Sequence, residues 1–174
     1  MATFIQILAF VHVLGAAIGV AGITFAEIFY LKATADGRVD ARERDYLHTT
    51  FFALKWGLLV VLLAGIALGV LSYAFPLVPV QVLSAPWWFM NTLAFSIIFA
   101  GWSMMRGAVS WWLSSSLAFS GWWMLFMLDA WQVAAPGATF SYLSLVFAYV
   151  VFAAVVAGVL SYARFFVGYT PSEK

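Results

Sequence analysis

The sequence predicts an all-α fold: one polytopic membrane domain over residues 1–174, made of five transmembrane helices, with the N-terminus outside and the C-terminus cytoplasmic. Three observations predict it. Hydrophobic residues make up 66% of the 174 and charged residues 9%, with a mean hydropathy of +1.02. A soluble domain cannot cover itself with so little polar surface. Five apolar stretches are each long enough for the helix of roughly 20 residues that crosses a bilayer. Five crossings also gather every Lys and Arg except Lys55 on one side. The positive-inside rule makes that side the cytoplasm, here of a bacterial inner membrane.

The first stretch, 4–31, starts without basic residues and ends its apolar run at Glu27 in place of a cleavage site. It reads as a retained helix, not a secretory signal peptide. The loop TADGRVDARERD leads to the second stretch, 46–74. Gly37, Asp36, Asp40 and Glu43 fit the spacing of a calcium loop, but the same register puts Lys32 at the first ligand position. A cation cannot ligate calcium, so this is a solvated turn. Three prolines in PLVPVQVLSAP precede the third stretch, 87–105. MRGAVS is so short that the third helix and the fourth, 108–132, must form a tight antiparallel hairpin. The Pro-Gly turn of AAPGATFS introduces the fifth, 141–165. The tryptophan pairs at 87–88 and 111–112, with Trp102 and Trp131, fall near helix ends as an interfacial belt, while Trp56, Trp122 and Trp123 sit deeper. GVLSYA occurs at 69–74 and again at 158–163, near the ends of helices that run in opposite directions. That is the layout of an inverted repeat around a central third helix. These residue types are common here, so chance supplies the same match.

With no cysteine, disulfides, thiolate metal sites, iron–sulfur clusters and CxxCH haem attachment are excluded. No basic stripe lies outside one short loop, so no nucleic-acid partner is expected. The chain has no nucleotide motif or nucleophile constellation. Its expected partners are the lipid bilayer and, through glycine seams, a second copy or a subunit of a membrane complex.

Candidate site residues lie on the helices. His12, Gly15, Gly19, Gly22 and Ala26 recur at spacings of three and four, so they share one face. Small residues admit a neighbouring backbone, so this face turns toward protein. His12 there can ligate haem iron or a metal, relay a proton, or simply hydrogen-bond a neighbouring helix. On the second helix His48, Lys55, Leu62 and Gly69 fall seven apart, which turns Lys55 inward. Counting outward from the loop matches Lys55 in depth with Glu27, an expected intramembrane ion pair, and leaves His48 nearer the cytoplasmic surface. The alternative is a Lys55 that snorkels to headgroups. At the other end, Asp129 can orient the His12 imidazole or reach water. Met90, Met124 and Met127 belong to the same half and suit Cu(I) with His12, or are packing. His12 and His48 differ in depth by roughly 20 Å at 1.5 Å per residue, so they cannot clasp one haem iron within a single chain.

The stretch FVHVLGAAIGVAGITFAEIFYLKA, with the basic loop and glycine-bearing helix after it, resembles a group of small bacterial membrane proteins. The group includes the copper-resistance D-type proteins and the membrane-bound protoporphyrinogen oxidase. The resemblance covers about the first 72 residues. The oxidases carry Trp-x-x-Gly and a Pro-Arg pair, where this chain has Val20, Gly22 and IFYLKA. The resemblance therefore implies a haem- or metal-linked His12, with haem b or copper as cofactor and Lys55 as a second candidate, rather than the oxidase activity. Three functions follow as expectations. One is a haem- or metal-associated redox protein centred on His12. Another is a proton- or ion-coupled transporter or channel using Glu27, Lys55 and Asp129. The third is a structural or assembly subunit of a membrane complex.

Overall fold

The structure, a computed structural model, describes residues 2–35, 41–75, 84–135 and 139–169. Gly37 and Asp40 of the first loop, with Asp36, lie outside the described residues. All five expected helices form: α1 Ala2–Ala35, α2 Ala41–Ala74, α3 Ala85–Met105, α4 Trp111–Ala134 and α5 Tyr142–Tyr169. Three of them, α1, α2 and α5, are long and apolar enough to cross a membrane. The other two are shorter, 21 residues in α3 and 24 in α4.

Local chemistry explains where the ends differ from expectation. α3 starts at Ala85, not residue 87, because the Ser84 hydroxyl accepts the Trp87 N–H and Pro86 is tolerated in a first turn, where its missing donor is not needed. α3 stops because Gly107 takes a left-handed φ of +65° and Ala108 N–H returns to Ser103 C=O at 3.0 Å, a Schellman-type closure. α5 is capped by Ser141, whose hydroxyl accepts the Ser144 N–H at 3.1 Å. It then runs to Tyr169, four residues past the expected end at 165.

Two antiparallel seams organise the bundle, and α1 belongs to both. Against α2, the expected small-residue face of α1 is buried as predicted: His12, Gly15, Gly19, Gly22 and Ala26 all turn inward. A Cβ at Gly57 would meet Gly15 O at 3.0 Å and Gly19 N at 3.1 Å, so here the two backbones touch. Only glycines permit that approach. Against α4, three contacts fall in one register: His12 with Asp129, Gly19 with Trp122, and Glu27 with Ser115 through a shared arginine. Trp122, 1% exposed, sits with Phe89, Leu93 and Leu125 in the core.

Among the described residues α3 packs mainly on α4, scarcely meets α2 and does not meet α1, so the two hairpins are not arranged around a central third helix. The two GVLSYA copies also differ in setting. A Cβ at Gly69 would meet Trp87 at 3.2 Å, whereas one at Gly158 would meet nothing within 4 Å. Outward faces are apolar, notably Leu63, Ile66 and Val70 on α2 and Phe147, Val155 and Val159 on α5. Trp88, Trp102, Trp112 and Trp131 are exposed near helix ends, as a belt requires, and Trp56 is exposed as well.

Candidate functional site

Two buried pairs of titratable side chains stand at opposite ends of the α1–α4 seam. In the first, His12 Nδ1 lies 3.1 Å from Asp129 Oδ2, and the residues are only 8% and 5% exposed. With Asp129 as a carboxylate, which cannot donate, the contact selects the tautomer in which Nδ1–H donates and Nε2 keeps its lone pair. Gly65 lies on the Nε2 side: a Cβ there would stand 3.4 Å from His12 Nε2. Both residues line a cavity of about 20 Å³, together with Val61 and Leu62 and, from α3, Trp87, Met90, Asn91 and Ala94. That volume holds a single water or ion.

The second pair is one that the sequence reading missed. Glu27 is buried, as expected, but its partner is Arg164: Nη2 donates to Glu27 Oε2 at 2.8 Å and to Ser115 Oγ at 2.7 Å. The guanidinium lies over the Tyr30 ring, 5.5 Å from its centroid. Among the described residues, Nε and Nη1 of Arg164 have no hydrogen-bond partner. The signal was depth. With α5 ending at 165, Arg164 belongs at its tip; because α5 continues to Tyr169, the arginine lies more than a turn inside. Along α1, Glu27 is 15 residues beyond His12, so the two pairs are about 22 Å apart at 1.5 Å per residue.

Lys55 does not face the bundle. It is exposed, and among the described residues no carboxylate lies within 4 Å of it. The seven-residue stripe misleads because the face of α2 that meets α1 runs through Thr50, Leu54, Gly57, Val61 and Ala64. At 100° per residue Lys55 points about 140° away from that face. Gly69 of that stripe and the neighbouring Gly65 sit on its flank and do meet protein. His48 is exposed too, and the α1–α2 register places it about 24 Å along the axis from His12. The expectation that the two histidines cannot share an iron agrees with this geometry.

The methionines separate. Met90 is 8% exposed, lines the His12 cavity and accepts from Gln132 Nε2 at 3.5 Å. Met124 packs at the edge of the core, and Met127 is 47% exposed. Among the described residues no three His, Cys, Asp or Glu side chains converge for a metal. A hard divalent ion is therefore poorly served, whereas imidazole with thioether is a donor set for Cu(I). A b-type haem does not fit at His12 within one chain. Nε2 lies close against the Gly65 backbone and the adjoining cavity is water-sized, whereas a porphyrin is many times larger.

Comparison with known proteins returns no match to a family model, a curated protein or a solved structure.

Proposed function

We propose that the chain is a metal-associated integral membrane protein whose working residue is His12, and that the ion it holds is Cu(I). The observation that carries this reading is the division of labour on one imidazole. Nδ1 is committed to a buried carboxylate, while the same side chain lines a cavity that Met90 also lines. Metal-ligating histidines are oriented in this way, by a carboxylate on the far nitrogen. His12 and Met90 would hold the ion, and its softness suits both. The resemblance of the α1 stretch to copper-resistance D-type proteins points in the same direction. Purified in detergent, the protein should retain one equivalent of Cu(I) against a chromophoric chelator. Retention should vanish in His12→Ala and weaken in Met90→Leu. Wild-type protein that surrenders all its copper to the chelator would sink the reading.

In this reading the bundle crosses the bacterial inner membrane five times, with the His12 end outside. The support is charge: Lys32, Arg42 and Arg106 are exposed at the opposite end. The chain has no cysteine of its own, so single reporters test this cleanly. An impermeant thiol reagent should label Thr139→Cys in intact cells and spare Arg42→Cys.

A second reading, a proton- or ion-coupled carrier, is favoured by the two buried pairs held at separate depths. Arg164 replaces Lys55 in it. Proteoliposomes should then show a proton flux that Asp129→Asn and Glu27→Gln abolish; no flux in the wild type removes this reading.

A further inference from the structure

The cavity beside His12 has walls of unequal quality. On one side α1 and α2 meet backbone to backbone at Gly15 and Gly57. On another α3 packs closely on α4. Its floor is closed by Val61 and Ala94, 3% and 2% exposed. The remaining side is the seam between α2 and α3, where the helices scarcely touch. One aromatic side chain fills that seam. Trp87, in the first turn of α3, lies across Gly69 so closely that a Cβ there would stand 3.2 Å from its Cζ2. Trp87 also lines the cavity, and Asn91, a second lining residue, donates to its carbonyl at 2.8 Å. Gly69 precedes the end of α2, and Gly65, which faces the imidazole, lies one turn deeper. Reading inward along the seam therefore gives Trp87 on Gly69, then the cavity, then His12.

We infer that the α2–α3 seam is the route by which a small solute reaches His12, and that Trp87, seated on Gly69, is the side chain that closes it. This deepens the reading of His12 as the ion-holding residue and rests on it for its purpose. The route itself can be tested without any metal. The occupant is limited to one small ion or water by the cavity's size.

The chain contains two histidines, and His48 is exposed, so it serves as a reference within the same molecule. Diethyl pyrocarbonate reacts with an accessible unprotonated imidazole nitrogen, and mass spectrometry reads each histidine separately. In the purified wild-type protein His48 should react fast and His12 slowly. Trp87→Ala should raise the His12 rate severalfold and leave the His48 rate alone, with Trp87→Phe intermediate. Gln132→Ala removes a polar contact on the α4 side of Met90 and should change neither rate. Should Trp87→Ala fail to fold, Trp87→Phe against Gln132→Ala still decides. Equal His12 rates in wild type, Trp87→Phe and Trp87→Ala overturn the route, as does acceleration by Gln132→Ala instead. A protein that binds no copper yet shows the Trp87 effect would refute the metal reading alone.

Discussion

Replacing Gly19 by alanine adds one methyl group where the α1–α4 seam has no room for it. The new Cβ would stand 2.0 Å from Trp122 Cζ3, 2.1 Å from Cε3 and 2.5 Å from Cη2. Carbon atoms rest about 3.5–4.0 Å apart, so the ring or the helix must move about 1.5 Å. The indole is rigid and 1% exposed, enclosed by the core, so the helices must part. Overpacking costs about 1–3 kcal/mol, and a clash this deep against a ring without rotamer escape belongs at the upper end. For a chain of this size, about 3 kcal/mol lowers the thermal midpoint by roughly 6–12 °C. The assay is loss of the monodisperse chromatographic peak on heating in detergent, for Gly19→Ala, Trp122→Leu and the double variant. The smaller leucine should relieve the clash, so the double variant should be more stable than the two separate losses added together. A Gly19→Ala midpoint within a degree of wild type, or strict additivity, would refute the close approach.

Other consequences follow from the buried pairs. Arg164→Met or Glu27→Gln alone should cost about 3–5 kcal/mol, because each strands its partner in a buried site. The double variant Glu27→Gln with Arg164→Met should recover most of that in the same thermal assay. Lys55→Leu should stay within about 0.5 kcal/mol of wild type, since an exposed side chain with no partner carboxylate loses nothing; a large loss would show an inward lysine after all. Asp129→Asn should weaken Cu(I) retention by about 10–100-fold, the usual effect of removing the carboxylate behind a ligating histidine. The midpoint should move much less, and unchanged retention would separate Asp129 from the site.

The α1 seam was legible because glycine spacing at three and four residues is a direct statement about which face another helix can approach. The His12–Asp129 contact was legible for a different reason: both lie a similar distance from the same end of the bundle. Lys55 was misread through a heptad count. The stripe it shares with Gly69 runs along the flank of α2, about 100° from the α1 face at Gly69, and two heptads of drift at about 20° each carry Lys55 a further 40° outward. Arg164 was missed because its helix outlasts the apolar run by a turn. Sequence also could not distinguish Met90 from Met124 and Met127. Their depths are similar, and only the packing of α3 on α4, beside the α1–α4 seam, brings Met90 to the cavity that His12 lines.

The α1–α4 register bears on how the two buried pairs relate. His12 meets Asp129, Gly19 meets Trp122 and Glu27 reaches Ser115, so each step of seven or eight residues on α1 answers a step of seven on α4. The middle contact is an indole pressed on a glycine. It lies between the His12 pair and the Glu27 pair and fills the space with carbon. An ion moving from one pair to the other would have to displace Trp122, and Gly19 gives it nowhere to go while α1 and α4 keep this spacing. A carrier would therefore have to part the α1–α4 seam in every cycle. A protein that only binds and hands on an ion at His12 need move no more than Trp87. The second demand is far smaller, which favours the proposed binding at His12 with entry at the α2–α3 seam.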